Sequence, residues 1–217
     1  MKFTGDFFTL ATFRNVPRSR YDEVVHQIPP DELKDLHLEI SMFRANNESG
    51  DLGEEAILGI WPALTWIEFV QERLGRILGS YNMIPDKSFS GIVCSTLLNE
   101  AYNFQQLPPS AVLVASTYSG ENAATKTYNA VLDEVGGLMP GQLVHIAHNM
   151  LSDEAFRTGF RIGQFITVWE SPEAAQKGEE ILRPILQKQR LSLTQVDLTI
   201  PVRKVIVRET VTTSTHS

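Results

Sequence analysis

The chain has 217 residues, 42% hydrophobic and 21% charged, with a formal net charge of −7. That is enough apolar material for one large domain or two of about 100 residues each. The acidic balance excludes nucleic acid or an anionic membrane as the main partner, and Cys94, the only cysteine, excludes an intramolecular disulfide or a Cys-x-x-Cys redox pair.

In chain order, Phe7–Phe13 (FFTLATF) predicts a strand. Arg18–Ile28 places Tyr21, Val24, Val25 and Ile28 on one side of a helix that Pro29-Pro30 ends. Leu36–Phe43 alternates apolar and polar residues as a strand does, Asn46–Gly53 is a turn, and Ala56–Trp61 is the next strand. Thr65-Trp66-Ile67-Glu68 has the form of a capping box, and its helix carries Ile67, Val70, Leu74, Ile77 and Leu78. Phe89–Leu98 is the fourth strand, and Asn103–Ser110, with Pro108-Pro109, is the boundary.

The order then recurs. Ala111–Ser116 is a strand, and Thr125–Val135 is a helix stopped by Gly136-Gly137. Leu143–Met150 and Arg161–Trp169 form a hairpin around a polar turn at Asp153–Thr158. Ser171-Pro172-Glu173 starts a helix in which Pro184 predicts a kink or an early end. Val196–Val207 is the last strand, and the polar tail Thr210–Ser217 frays. Both halves read β-α-β-β-α-β. His145 follows His37 by 108 residues, and the same offset relates Met150 to Met42, Trp169 to Trp61 and Leu182 to Leu74. An internal duplication follows, with a first unit at 1–104, a linker at 105–110, a second unit at 111–209 and a disordered tail at 210–217.

Each unit places two helices on one face of a four-stranded antiparallel sheet and leaves the other face bare. The expected fold is therefore α+β, two tandem ferredoxin-like units packed sheet to sheet as a pseudo-dimeric α/β barrel. The mainly apolar sets (Leu36, Leu38, Ile40, Met42; Val144, Ile146, His148, Met150) are expected under the helices. The mixed sets (His37, Glu39, Ser41, Phe43; His145, Ala147, Asn149) are expected to face the inter-sheet space. The sequence holds no 18-residue apolar run, signal-peptide pattern or phosphate loop, so a cytoplasmic protein with no membrane or nucleic-acid partner is expected.

The segment FITVWESPEAAQKGEEILRPIL (Phe165–Leu186), with MPGQLVHIAHNM upstream of it (Met139–Met150), resembles the dimeric α/β-barrel proteins related to antibiotic biosynthesis monooxygenases. The resemblance covers most of Ala111–Val207 and is weaker in the first half, where Ile60-Trp61-Pro62-Ala63 replaces the Trp-Glu-Ser step. It implies ferredoxin-like units closing a barrel, and cofactor-independent oxygenases, haem-degrading oxygenases, cyclases or isomerases among the relatives. The haem-degrading pattern carries a His in the second helix. Here that neighbourhood is Lys177-Gly178 in one half and Phe69-Val70 in the other, so no cofactor is expected and haem is kept only as an alternative.

The expected activity is a cofactor-independent monooxygenase acting on a small aromatic or polyketide-like molecule. The alternatives are a cyclase or isomerase without oxygen chemistry, and a non-catalytic binding barrel. His145 is the candidate base, since histidine titrates near neutrality. Trp169 is an aromatic wall, Asn149 an orienting group, and His148, His37 and Trp61 are further substrate-binding candidates. Glu39 and Ser41 share the face of His37, a set suited to orienting a phenol or enol. Each residue also has a purely structural reading, as a satisfied core histidine or a packed aromatic. The chain is expected to be a monomeric pseudo-dimer or a homodimer.

Overall fold

The computed structural model describes residues 3–119, 125–150 and 162–208. Eight strands dominate it: β1 (Phe7–Pro17), β2 (Leu38–Ala45), β3 (Leu52–Trp61), β4 (Lys87–Leu98), β5 (Val112–Ser119), β6 (Gln142–Met150), β7 (Ile162–Trp169) and β8 (Ser192–Val207). Around a closed barrel they follow the order β1-β3-β2-β8-β5-β7-β6-β4, and β4 pairs back onto β1. Every pairing is antiparallel. Within the first half the order is β4-β1-β3-β2, and within the second it is β8-β5-β7-β6, the same arrangement twice. The halves join through hydrogen-bonded edges, β2 on β8 and β4 on β6. The bare faces thus meet by rolling both sheets into one barrel, not as two separate stacked sheets.

The two faces of β2 and β6 are used in the opposite sense to the one expected. Leu38, Ile40 and Met42 join Phe8, Ile146 and Ile166 in the fully buried barrel interior. Glu39 instead lines a cavity against Tyr21 and Val24 of the helix layer, and Ala147 packs outward with Leu182 and Leu186. An eight-stranded barrel has an interior just wide enough for side chains to fill, so it is the driest compartment and takes the aliphatic residues. Each such side chain contributes about 1.5–3 kcal/mol by leaving water. The helix-covered face has room for polar groups. The barrel interior also holds a polar chain: His148 and Gln164 are 2.9 Å apart, Gln164 donates to Asp197 at 2.6 Å, and Thr117 also bonds Asp197.

The offset of 108 does not carry through the hairpin registers. Glu39 lies opposite Gly59, so that offset would set Ala147 opposite Thr167, but the residue there is His145. In the ladder His145 therefore takes the place of Glu39, two residues along from His37. A shift of two residues keeps each side chain on its face, which is why the apolar pattern conceals it.

The helices differ sharply between halves. In the first half α1 (Arg20–Val25) and α2 (Pro30–Leu33) are short, and Pro30 opens α2 where a stop was expected. A continuous helical segment follows β3: α3 (Ala63–Thr65), a π-helix (Trp66–Leu74) and α4 (Gly75–Ser80). Pro62, not Thr65, precedes its first turn, and the Thr65 hydroxyl donates to Asp35 at 3.2 Å. In the second half α5 (Thr125–Val135) has the expected bounds, and α6 (Pro172–Lys188) continues past Pro184 and does not end early. The Ser171 hydroxyl accepts from the Ala174 N–H at 3.2 Å, an N-cap. Ser171→Ala should lower stability by about 1 kcal/mol, measured as a shift of the urea midpoint at unchanged slope. No helix among the described residues is long and apolar enough to cross a membrane. The turn at Asp153–Thr158 and the tail Thr210–Ser217 fall outside the described residues.

Candidate functional site

Cavities lie between the sheet and its helices in both halves. The first measures about 560 Å³ and is walled by β1 to β4 and the helical segments between them. Its lining is almost wholly apolar, with aromatic faces from Phe13, Tyr21, Trp61, Trp66 and Phe89. The π-helix presents Trp66, Val70 and Leu74 to it. Such wide turns are uncommon and concentrate at functional sites. Trp66 stacks on Phe7 at 4.7 Å between ring centroids, and Trp61 sits 5.6 Å from Phe69. The Trp61 indole lies over Gly59, where a Cβ would stand 2.5 Å from its Nε1.

Four of the lining residues carry a buried polar atom with no protein partner: Tyr21 Oη, Glu39 Oε1, Trp61 Nε1 and Trp66 Nε1. A buried donor or acceptor left unsatisfied costs about 1–3 kcal/mol. The atoms themselves are covered by protein, and the Trp61 Nε1 lies against the Gly59 backbone. Glu39 is 4% exposed, and its other oxygen, Oε2, accepts from both terminal nitrogens of Arg208 at 3.1 and 3.2 Å. Arg208 follows β8 and is held by its own backbone N–H, which donates to the His37 carbonyl at 2.9 Å. A carboxylate of the first half is thus clamped by a cation from the second, across the β2–β8 edge.

The second cavity is smaller, about 230 Å³, and is lined by Trp169, Tyr118, Phe165 and Thr167 among others. Its tryptophan is satisfied: Trp169 Nε1 donates to the Thr167 hydroxyl at 2.8 Å. The ring covers Gly178 of α6, where a Cβ would fall 2.0 Å from it.

The candidate residues from the sequence divide as follows. Trp61 and Trp169 stand on the walls of the first and second cavities. His145 is fully buried, packs at 5.0 Å from the Phe165 ring, has Nδ1 3.3 Å from the Gln142 amide and borders neither cavity. Burial pushes its pKa down to about 4, so the ring is neutral. His148 lies inside the barrel, 3.7 Å from the Phe8 ring and bonded to Gln164. His37 pairs with Asp6 at 2.7 Å and stacks on Phe3, outside the cavity wall. Asn149 sits in β6 opposite Ile92, and its side chain falls outside the described residues. Tyr21, Trp66 and Arg208 were not singled out from the sequence. Glu39 was, though only as a companion of His37.

Among the described residues neither wall contains a His or Cys, the side chains there able to ligate haem iron are Tyr21, Tyr118 and Met139, and the larger wall contains no Lys or Arg to receive propionates. No step is routed through haem. Among the described residues no group of three His, Cys, Asp or Glu side chains is placed to hold a metal ion.

No protein-family model and no curated protein matches the sequence. Solved structures do match the fold along nearly the whole chain. A candidate monooxygenase from Lactobacillus acidophilus NCFM aligns at a TM-score of 0.59 and 9% identity, over 94% of this chain and 97% of its own. An anthrone oxidase-like protein aligns at 0.53 and 10%, over 94% and 93%. A heme-binding protein from Thermus thermophilus aligns at 0.51 and 13%, over 91% of each. At such identities the likeness speaks for fold alone. Taken with the antiparallel eight-stranded closure, it gives this chain the fold of the dimeric α/β-barrel (ferredoxin-like) superfamily.

Proposed function

We propose that the chain is a cofactor-independent monooxygenase-like enzyme whose site is the first-half cavity, acting on a small aromatic or polyketide-like molecule. The observation that carries this reading is an apolar, aromatic-walled volume of about 560 Å³ whose lining includes Glu39, Tyr21, Trp61 and Trp66. Glu39, in place of His145, is the base: its Oε1 is buried and unpartnered, whereas the His145 ring borders no described cavity. Arg208 is a positioning residue that fixes which Glu39 oxygen is presented. Tyr21 and the two indole N–H groups orient the substrate and receive the oxyanion that forms when Glu39 takes a proton.

In this chemistry Glu39 removes a proton from an activated CH₂ or enol, and the resulting carbanion gives electrons to dioxygen. A C–O bond forms, the O–O bond then breaks, and one oxygen leaves as water while the other remains as a carbonyl. The balance is CH₂ plus O₂ to C=O plus H₂O. The dry, aromatic wall protects the reactive anion from water.

We read the two halves as a tandem duplication in which the first copy kept the larger cavity and the second a smaller one. The recurring strand order and the paired tryptophans favour this reading. One chain then supplies the whole barrel, and a monomer suffices for activity.

The test is an oxygen-electrode screen of hydroxylated polycyclic substrates with wild-type protein and Glu39→Gln. The expected result is oxygen uptake matched to product, reduced at least about 100-fold in the variant. Turnover without oxygen uptake would reassign the protein as a cyclase or isomerase. Full activity in Glu39→Gln would end the assignment of the base.

A further inference from the structure

Tyr21, Val24 and Val25 in the wall of the first cavity come from α1, a helix of six residues. A helix that short is not stable by itself in water, and no side chain caps its N-terminus. Besides the packing of Tyr21 and Val24, it is tied to the barrel by Arg203 of β8. Arg203 donates to the Asp22 carboxylate at 2.6 Å and to the Arg18 carbonyl at 2.9 Å, and its guanidinium lies 5.4 Å from the centre of the Tyr21 ring. All three partners fall within residues 18–22, so one side chain of the second half fastens the start of a helix of the first.

Beside this fastening lies Glu55 of β3, opposite Phe13 of β1 and Phe43 of β2. It has no exposed surface, neither oxygen has a hydrogen-bond partner, and Oε2 stands 3.7 Å from the same Arg203. The charges that act on it are those of Arg203, Asp22 and Arg18, all of them in the fastening or in the segment it holds. Burial keeps the carboxyl protonated up to about pH 8, and a neutral Glu55 leaves Arg203 to residues 18–22. A buried carboxylate without a partner is costly. Once ionised, Glu55 lowers that cost by drawing Arg203 away from Asp22 and the Arg18 carbonyl. We infer that α1 is a lid over the first cavity, latched by Arg203, and that loss of the Glu55 proton releases it. Such control of access is independent of the oxygen chemistry.

The test follows backbone hydrogen exchange of the full chain by mass spectrometry at about pH 6.5 and about pH 9, corrected for the chemical exchange rate, with α6 as internal reference. In wild type, protection of residues 18–28 should fall by about 10-fold or more relative to α6 as the pH rises. Acrylamide quenching of tryptophan fluorescence should rise with it, because Trp61 and Trp66 line the cavity that the lid covers. Glu55→Gln should remove both changes. Asp22→Asn, which weakens the latch at its more exposed partner, should lower the protection of residues 18–28 already at about pH 6.5 while the thermal melt stays cooperative. If residues 18–28 lose protection only in step with α6, the change is global and there is no lid. If Glu55→Gln shows the wild-type fall, another group is the switch. If protection falls and quenching does not change, α1 does not close the cavity.

Discussion

Glu55→Gln is expected to raise the melting temperature at pH 8 and to flatten the pH dependence of stability above neutrality. Glu55 sits on β3 with no exposed surface, and neither of its oxygens has a hydrogen-bond partner. Arg203 approaches to 3.7 Å but spends itself elsewhere, bonding Asp22 at 2.6 Å and the Arg18 carbonyl at 2.9 Å. Burial therefore dominates over the Arg203 charge and pushes the carboxyl from its ordinary 4.5 up to about 8. Between those values the folded chain holds a proton that the unfolded chain releases, so stability falls as pH rises through that window. The whole effect is on the order of a few kcal/mol. His145 acts in the opposite sense. Its folded value of about 4 lies below the ordinary 6.5, so stability is gained as pH rises between them. The two slopes oppose each other up to about pH 6.5, and Glu55 acts alone above it. Urea midpoints of wild type should therefore fall between pH 6.5 and 8, and those of Glu55→Gln should not. A flat wild-type profile across that interval would show that Glu55 is ionised in the fold.

Gly178→Ala should destabilise the protein by about 3 kcal/mol. The added Cβ would meet the Trp169 ring at 2.0, 2.6 and 2.8 Å. That ring is 3% exposed, anchored by its N–H on Thr167 and packed with Val112, Met139, Ala174 and Ala175. Moving it breaks a buried hydrogen bond or opens α6 from the sheet. The urea midpoint of the variant should drop. A drop below 0.5 kcal/mol, within the ordinary range for surface changes, would mean that the neighbouring 230 Å³ cavity absorbs the ring at no cost.

The elements of the second half were legible because local chemistry marks them. Thr125–Val135 has a clean helical stripe ended by two glycines, and Ser171 caps α6 as its position before Pro172 suggests. Which face of each strand points inward was not legible. Alternation separates two faces without saying which is drier, and here both are buried, one in the barrel and one under helices. The site was half visible. Trp61 marks a wall, and Glu39 is an isolated acid among apolar neighbours, which calls for a partner. That partner, Arg208, lies 169 residues away, and only closure of the barrel brings it near. Tyr21 reads as an ordinary core position of an amphipathic helix, and nothing in Trp66-Ile67-Glu68 announces a π-helical turn.

Closure also limits how the molecule meets others. Among the described residues all eight strands have neighbours on both sides, so this sheet offers no free edge on which another chain's strand could add, whether in ordered assembly or in aggregation. A second copy or a protein partner has to dock on helices, loops or the barrel mouths. Binding of that kind relies on side-chain complementarity instead of backbone pairing, so single surface substitutions should be able to alter it while the barrel stays intact.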